Sequence, residues 1–346
     1  MHTQVSDIHE IARECLNNVT AIDNSFFESR RLALAHLNID LHCTDSVYAD
    51  MCVNNIYQQC TQASWQSDVS VYCVDSESLG WLPPPRWPYQ DYDRREANQV
   101  YAQQGLHGAY MHDPRVWQFY DPQNKIAVQW IRRPQALPLW ESGGPLRALL
   151  HWAYLEKHKR FCHAATLGFD NKGIMLVGAG GSGKSGTTLA GVMHGLNTVG
   201  DDYCLLENEA IVTAYPLYEI LKQDQLGVER VMSADMTKNL PPLNWQKKYE
   251  IHNQDLVSSP FVSSMPVVAI VMPKIGDYQN SQFTEISPAQ AMRSFAPSSV
   301  FQLPDCEQQG IMFAAQLCRT LPCFELQLST DAEEIADCIK HYLQAH

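Results

Sequence analysis

The chain has 346 residues, of which 45% are hydrophobic and 18% charged, so it is long enough for two packed domains or one large one. Its 25 Lys and Arg residues against 38 Asp and Glu residues give a formal net charge of −13 at pH 7. A field of this sign repels nucleic-acid phosphates and anionic lipid, so we expect neither a nucleic-acid partner nor a membrane partner. A small anionic ligand is not excluded, because backbone amides and one Lys can bind it locally.

The N-terminal sequence MHTQVSDIHEIAREC is polar and acidic, unlike a signal peptide. The longest apolar runs, such as PVVAIVMP near residue 270, are too short to span a bilayer. The eleven Cys residues are scattered and never have CxxC spacing, so we expect reduced thiols rather than disulfides or a zinc site. These features predict a cytoplasmic protein.

The first part of the chain has the pattern of a small α+β domain. Apolar residues of SDIHEIAREC recur at helical spacing and predict a helix within residues 1–30. The segments LNIDLHC and DVSVYCV alternate apolar and polar residues, which is typical of half-buried strands. The prolines of WLPPPRWPYQDYDRRE predict a loop over residues 81–96. Residues 108–131 then predict a strand, a turn at DPQN and a second strand.

The pattern changes at PLRALLHWAYLEKH, which predicts a helix with Pro145 in its first turn. After it, short β-rich runs alternate with helical ones, as in an α/β domain. We therefore predict an N-terminal α+β domain over residues 1–140, which binds a substrate or partner or forms a dimer interface, and an α/β domain over residues 141–346.

The strongest motif of the chain is GIMLVGAGGSGKSGTTLAGVMH, residues 173–194. Ile174–Val177 predicts a buried strand, the following residues match G-x-x-x-x-G-K-[ST], and a helix begins directly after them. A glycine-rich turn without a ligand is the alternative interpretation, but it does not explain why strand, loop and helix occur together.

The chemistry of phosphate binding accounts for this spacing. Glycines let backbone N–H groups approach phosphate oxygens, and the helix N-terminus attracts the same anion. Lys184 supplies a mobile positive charge for the β- and γ-phosphates, and the Ser185 hydroxyl suits Mg²⁺. The predicted nucleotide-binding residues are Gly178, Ala179, Gly180, Gly181, Ser182, Gly183, Lys184, Ser185 and Gly186.

An acidic pair follows the next predicted strand. The run LNTVGDDYCLLE predicts a strand that ends at Gly200 and presents Asp201 and Asp202. Two carboxylates beside a triphosphate make chemical sense if one helps to hold Mg²⁺ and the other accepts the proton of an attacking hydroxyl. The alternative is a pair of turn residues that cap the strand.

A histidine precedes the phosphate loop. His163 is predicted on the strand before the loop strand, and a turn at Asp170, Asn171 and Lys172 would form a hairpin that brings the histidine near the loop. A single histidine is more often structural, so spacing alone leaves both interpretations open.

His163, the GAGGSGKS loop and GDD at 200–202, in this order, resemble the catalytic domain of HPr kinase/phosphorylase. That family shares its phosphate-loop fold with ATP-dependent phosphoenolpyruvate carboxykinase. More closely, the segments HAATLG, GDDY, AYPLYEILK and AMRSFAPSSVFQLP are similar to those of bacterial HPr-kinase-like serine kinases. The resemblance covers roughly 140–340.

The resemblance implies a phosphate-loop kinase domain of HPr kinase type that binds ATP and Mg²⁺. It implies catalytic roles for three residues: Lys184 on the phosphates, Asp201 as the general base, and His163 beside the transferring phosphoryl group. Ser185 and Asp202 would be the metal residues, with Asp202 either supporting the metal or holding the loop.

The chain departs from the family downstream of the acidic pair. HPr kinases carry a glutamate and an arginine in a glycine-rich signature there, whereas this chain reads YPLYEILKQDQLG. Glu219 and Lys222 are candidates to replace them. Lys222, Lys274 and Arg293 are candidates for the cation that neutralises the phosphoryl group in transfer.

The function predicted from these features is an ATP- and Mg²⁺-dependent kinase whose acceptor is a hydroxyl, that of Ser in a peptide or protein. One alternative is a kinase of small-molecule hydroxyl groups. Another is a nucleotide-binding accessory or regulatory protein that transfers nothing. A decarboxylating carboxykinase would need a metal-binding His and Lys set, which we do not find. A homo-oligomer is left open.

Overall fold

A computed structural model describes residues 7–59, 64–86, 94–141, 143–256, 259–299, 303–304 and 307–346. The chain forms two compact units. The first lies within residues 1–158, with residues 303–304, and the second lies within residues 159–302 and 306–346.

The first unit is a mixed sheet with helices. Its elements are α1 (Asp7–Ala21), β1 (Glu28–Leu34), β2 (Leu37–Cys43), α2 (Ser46–Val53), β3 (Val69–Asp75), α3 (Ser76–Leu79), α4 (Arg94–Gln103), β4 (His107–Met111), β5 (Val116–Asp121), β6 (Ile126–Ile131) and α5 (Arg147–Leu155). The strand order is β1-β2-β3-β6-β5-β4, with β2, β3 and β6 parallel and the other neighbours antiparallel. Apolar residues of α1 and α4, including Ile8 and Tyr101, pack against Phe119 and Trp130 of this sheet.

Most of the elements predicted for this part are present. The helix within residues 1–30 is α1, the two alternating segments are β2 and β3, and the DPQN turn joins β5 to β6. Of the predicted loop, residues 81–86 have no regular structure, residues 87–93 lie outside the described residues, and α4 begins at Arg94.

The predicted start of the helix at Pro145 is wrong. Helix α5 begins at Arg147, because Leu146 has a left-handed φ of 56° and cannot continue a right-handed helix. The carbonyl of Leu146 accepts the first helical hydrogen bond, from the Leu150 N–H. This helix belongs to the first unit, whereas the sequence pattern grouped it with residues 141–346.

The second unit is built on a larger mixed sheet. Its elements are β7 (Lys159–Cys162), β8 (Ala165–Phe169), β9 (Lys172–Leu176), α6 (Lys184–Met193), β10 (Cys204–Asn208), β11 (Val212–Pro216), β12 (Ile220–Asp224), α7 (Gln225–Val231), α8 (Ala234–Thr237), β13 (Lys248–His252), β14 (Met265–Ile275), β15 (Gln282–Glu285), α9 (Pro288–Ser299), α10 (Glu307–Thr320), β16 (Cys323–Leu328) and α11 (Ala332–Ala345).

Three parallel strands form the part of this sheet that carries the GAGGSGKS segment. Strand β14 pairs in parallel with β9 on one edge and with β16 on the other. Helices α6 and α11 pack against each other and against β8. Met175 and Val177 instead share an apolar cluster with residues of α9 and α10, such as Phe295 and Leu317. Strand β9 is therefore covered by helices, which fits the buried apolar run from Ile174 to Val177.

Two further features of this unit bear on the site. Strands β8 and β9 form the predicted hairpin, with Asp170 and Asn171 at positive φ in its turn. Strands β12 and β13 pair with each other as a separate two-stranded ribbon. The predicted α/β class is confirmed at the level of mixed α/β units with parallel strands. Among the described residues, no helix combines the length and apolar character that crossing a membrane requires.

Candidate active site

The phosphate-loop segment connects the carboxyl end of β9 to the first residue of α6, as the sequence predicted. Gly178 has a φ of 152°, and a Cβ at this position would lie 2.6 Å from Ser182 Oγ. Gly183 has a φ of 103°, and its Cβ would lie 3.0 Å from Leu328 Cδ1. The first and last glycines of the motif therefore permit a backbone path that a larger residue would strain.

The loop residues differ in exposure. Ala179, Gly180 and Gly181 are exposed, whereas Ser182, Ser185 and Gly186 are half-buried. Lys184 is buried, and its Nζ donates hydrogen bonds to the carbonyl oxygens of Gly178 (2.6 Å) and Ala179 (3.4 Å). Burial lowers the pKa of Lys184, and the two acidic side chains Asp201 and Asp202 oppose this change.

Replacing Gly183 by Ala is expected to lower the free energy of unfolding by about 1–3 kcal/mol. The left-handed φ is strained for Ala, and the added Cβ comes into close contact with Leu328. Gly180→Ala is the matched control, since a Cβ at Gly180 has nothing within 4 Å and its φ is not positive. Urea unfolding of both variants measures the difference, and equal stability of the two would contradict the prediction.

The acidic pair does not end a strand. Thr198 forms an isolated bridge with Phe261, and the next strand, β10, begins only at Cys204. Asp201 and Asp202 thus lie in the connection before β10. The prediction of a strand ending at Gly200 failed because the preceding residues pair only through single bridges, which a period-2 pattern does not distinguish from a strand.

Asp201 is a buried carboxylate with one oxygen available. It is only 2% exposed, and its Oδ2 accepts a hydrogen bond from the Lys222 N–H at 2.9 Å. Its Oδ1 makes no hydrogen bond within 3.5 Å in the part of the chain that the structure describes, but the Ser185 hydroxyl is close enough to stabilise the charge of the carboxylate. Burial raises the pKa of Asp201 to about 6, with a further rise from the Asp202 charge. The Lys222 N–H, and then the Ser185 hydroxyl, favour the ionised form and limit the rise.

The two carboxylate oxygens of Asp202 each have a partner, a histidine ring nitrogen and a lysine ammonium group. Its Oδ1 lies 2.7 Å from His163 Nε2, and its Oδ2 lies 3.3 Å from Lys222 Nζ. Burial works against the ionised form, but these two partners outweigh it and hold the pKa of Asp202 well below its usual range. The two neighbouring acids therefore have different environments, which is the condition for giving them different roles.

His163 lies directly after β7 rather than on a strand. Its backbone N–H donates to Ser299 Oγ (3.1 Å), and its ring packs on Tyr203 with centroids 5.3 Å apart. The structure thus brings His163 to Asp202. The resemblance implied a position beside the transferring phosphoryl group, where His163 would orient Asp201 or the phosphate.

The three candidate cations are placed differently. Lys222 contacts both acids, through its backbone and its ammonium group. Lys274 is exposed and pairs with Glu325 at 2.9 Å, and Arg293 is exposed on α9. Glu219 precedes β12, where burial raises its pKa. Lys222 is the candidate that the fold brings to the acidic pair.

Sequence analysis missed one residue of the ribbon that contacts the site, Gln223. Gln223 is buried, and a Cβ at Gly186 would lie 3.3 Å from its Nε2, which explains a glycine in the first turn of α6 by close packing. The alternating runs ILKQD and KYEIH were the available signal, but residues 225–247 separate them, far more than a hairpin turn.

The oxygen donors present fit Mg²⁺. This ion takes hard oxygen ligands and is bound in phosphoryl-transfer sites by one or two protein groups together with phosphate oxygens. Ser185 offers a half-buried hydroxyl for this role, and the ion would take its other ligands from phosphate oxygens and water. Both oxygens of Asp202 are already engaged by His163 and Lys222, so the predicted metal role of Asp202 stays a prediction that its contacts do not favour.

No protein-family model and no curated protein sequence matches the chain. The chain is similar to the solved structure of the Hpr(Ser) kinase/phosphatase from Coxiella burnetii, with 11% sequence identity and a TM-score of 0.30. The similarity covers 54% of this chain and 97% of that one. A likeness of this size carries no argument about the fold or activity of this chain.

Proposed function

We propose that the second unit is a phosphate-loop kinase domain of HPr kinase type. It transfers the γ-phosphoryl group of ATP, with Mg²⁺, to a hydroxyl group, that of Ser in a peptide or protein. The observation that carries the proposal is Asp201: a buried carboxylate with a raised pKa, close to Ser185 of the loop, one of whose oxygens has no hydrogen bond within 3.5 Å from any described residue. A protein that only binds nucleotide needs no such base, whereas a kinase does.

Nucleotide binding falls to the loop and to Lys184. The loop amides and the N-terminus of α6 bind phosphate oxygens. Lys184 Nζ gives up its hydrogen bonds to the carbonyl oxygens of Gly178 and Ala179 and donates to phosphate oxygens instead. Ser185 offers its hydroxyl to Mg²⁺. When bound, the ion neutralises charge on the phosphates and orients the γ-phosphoryl group.

Transfer is a single displacement at phosphorus. The acceptor oxygen bonds to the γ-phosphorus, the bond to the β–γ bridging oxygen breaks, and ADP leaves with that electron pair. Asp201 Oδ1 accepts the proton of the acceptor hydroxyl. His163 and Lys222 act as positioning residues, because they hold Asp202, and Lys222 also fixes the other oxygen of Asp201.

The test of this function is transfer of label from γ-labelled ATP, with Mg²⁺, into an extract of the source organism. Small molecules are first removed from the extract and assayed as a separate fraction, and the assay is repeated after they are added back. The control is Lys184→Ala, matched by Lys172→Ala, which removes the same charge at the far end of β9.

Label in a polypeptide that is lost only with Lys184→Ala supports the proposal. Label confined to a metabolite moves the acceptor to a small-molecule hydroxyl. Nucleotide binding without any labelled product indicates the accessory protein instead and contradicts the kinase.

The rate of transfer is expected to rise about tenfold per pH unit below about pH 6 and to level off above it, because only ionised Asp201 accepts a proton. The sign follows from the raised pKa: the ionised fraction grows as pH increases through that value. Single-turnover rates at saturating ATP measure the profile, and Asp201→Asn is expected to lack this limb. A wild-type rate that is constant from pH 5 to 8 would rule out Asp201 as the base.

A further inference from the structure

We infer that Cys43, Cys52 and Cys73 of the first unit form a binding site for monovalent copper, which the three sulfur atoms hold as thiolates. The inference uses residues of the first unit alone, so it stands whether or not the second unit is a kinase. No spacing in the sequence indicates such a site, because the three cysteines are far apart along the chain and come together only on folding.

Three different elements bring these cysteines together. Cys43 is the last residue of β2, Cys73 lies on the neighbouring strand β3, and Cys52 lies on α2. The three sulfur atoms all lie within 4.8 Å of one another, and those of Cys52 and Cys73 are 3.7 Å apart. Each residue is a free thiol with a fully buried side chain. The sulfur atoms therefore surround a common point in the interior of the unit.

The pairing of the strands explains why two of the sulfur atoms lie side by side. Cys43 and Cys73 are directly paired in the parallel register of β2 and β3, and paired residues of neighbouring strands share a face of the sheet. Helix α2 contacts β2 and supplies Cys52 on that face. Val74, the next residue along β3, belongs instead to the apolar cluster with α1 and α4. The three sulfur atoms are therefore buried between α2 and the sheet, on the face opposite to that cluster.

Hydrogen bonds fix the backbone around the sulfur atoms. Directly after β2, the Thr44 N–H donates to the Cys73 carbonyl oxygen at 3.1 Å. The Thr44 hydroxyl donates to Asp75 Oδ2 at 2.6 Å and accepts a hydrogen bond from the Asp75 N–H at 2.9 Å. Helix α2 is tied to the sheet through Tyr48, whose hydroxyl accepts a hydrogen bond from Gln129 Nε2 at 3.1 Å. Supports of this kind hold metal ligands in place before the ion arrives.

A buried cysteine can also pack simply as a small apolar side chain. The other buried cysteines are examples: Cys15 lies within the apolar cluster of α1, and Cys162 and Cys204 face each other as a pair across β7 and β10. Among the described His, Cys, Asp and Glu residues, by contrast, Cys43, Cys52 and Cys73 are the one group of three whose ligand atoms come this close together. Apolar packing does not require that convergence, whereas metal binding does.

The type and number of ligands select the ion. Thiolates bind soft ions such as monovalent copper, zinc and the iron of iron–sulfur clusters. Structural zinc sites and iron–sulfur clusters take four protein ligands, whereas the described residues supply three, all buried from water. A metal–sulfur distance of about 2.3 Å places the sulfur atoms of a trigonal site about 4 Å apart, close to the 3.7 Å between Cys52 and Cys73. On binding, each thiol loses its proton and forms one bond to copper, which stays in the +1 state.

The test offers monovalent copper to the reduced full-length protein, without oxygen, as its coloured complex with bicinchoninate, and measures uptake by the loss of colour. The wild type is expected to take up copper, and X-ray absorption is expected to show three sulfur neighbours around it. Cys52→Ala is expected to bind copper more than about 100-fold more weakly, because loss of a ligand exceeds the 10–100-fold effect of losing an outer partner. Two controls are expected to match the wild type: Cys204→Ala, which removes another fully buried thiol, and Cys338→Ala, which removes a partly exposed one.

Three results would overturn the inference: a wild type that takes no copper from bicinchoninate, equal copper affinity of Cys52→Ala and the wild type, or preference for Zn²⁺ when both ions are offered. The first indicates that the three thiols only fill the interior. Should Cys52→Ala not fold, Cys52→Ser replaces it. The X-ray absorption spectrum of the wild type needs no variant, and nitrogen or oxygen neighbours around the copper would contradict a site made of three cysteines.

Discussion

Asp201→Asn is expected to bind Mg·ATP with wild-type affinity and to transfer phosphate about 10²–10⁴-fold more slowly. The amide oxygen of Asn can still accept the Lys222 N–H that now reaches Oδ2 at 2.9 Å, so the local backbone is kept. What is lost is the oxygen that accepts the hydroxyl proton. Single-turnover transfer and equilibrium binding, measured on the same preparation, separate the two effects.

The same variant is expected to change how the free energy of unfolding depends on pH. Burial raises the pKa of Asp201 from 3.8 to about 6, so the protonated form stabilises the fold below pH 4, and this contribution is lost as pH rises through about 6. At pH 8 the free energy of unfolding of the Asp201→Asn variant is therefore expected to exceed that of the wild type by up to about 3 kcal/mol. Asp170→Asn, in the exposed turn of the β8–β9 hairpin, is the control for both measurements. An Asp201→Asn variant that transfers phosphate normally would end the assignment of the base.

Lys184→Ala is expected to weaken Mg·ATP binding about 10–100-fold, because one charged hydrogen-bonding group on phosphate contributes about 1.5–3 kcal/mol. The lysine is buried at the start of α6 and directed at the loop by its bonds to Gly178 and Ala179. Its removal also deprives the transition state of a positive charge, so transfer is expected to fall further than binding. Titration of a fluorescent ATP analogue measures the first effect, and labelled transfer at saturating ATP measures the second.

Lys172→Ala is the matched variant here as well. It removes one positive charge from the opposite end of β9 and so controls for the change in net charge of the protein. If both lysine variants bind ATP equally, the loop does not bind phosphate through Lys184. Loss of binding with Lys184→Ala alone places the phosphates at the loop.

Local signals account for the parts that the sequence predicted well. The strand, loop and helix of the GAGGSGKS motif are contiguous, and their periodicity and glycine spacing are properties of neighbouring residues. The same holds for the β8–β9 hairpin, where Asp170 and Asn171 supply the turn. The helix at Arg147 was misplaced by two residues because one left-handed residue, Leu146, decided its start.

Long-range pairing accounts for what was missed. Strands β12 and β13 of the ribbon are separated in sequence by residues 225–247, and no short-range pattern predicts their pairing. Two contacts that depend on this pairing are therefore absent from sequence reasoning: that of Gln223 with Gly186 and that of Lys222 with the acidic pair.

Sequence patterns were enough to establish the mixed α/β class, the strand–loop–helix segment around GAGGSGKS and the order of His163, Lys184 and the acidic pair along the chain. Which of the two acids keeps an unpartnered oxygen became clear from the folded arrangement. Asp202 is engaged by a histidine and a lysine that precede and follow it by many residues, while Asp201 is buried with one oxygen that no described residue hydrogen-bonds within 3.5 Å. The physical reason is that ionisation and hydrogen bonding depend on burial and on partners brought together by folding, and neighbouring identical residues in a sequence carry no sign of either.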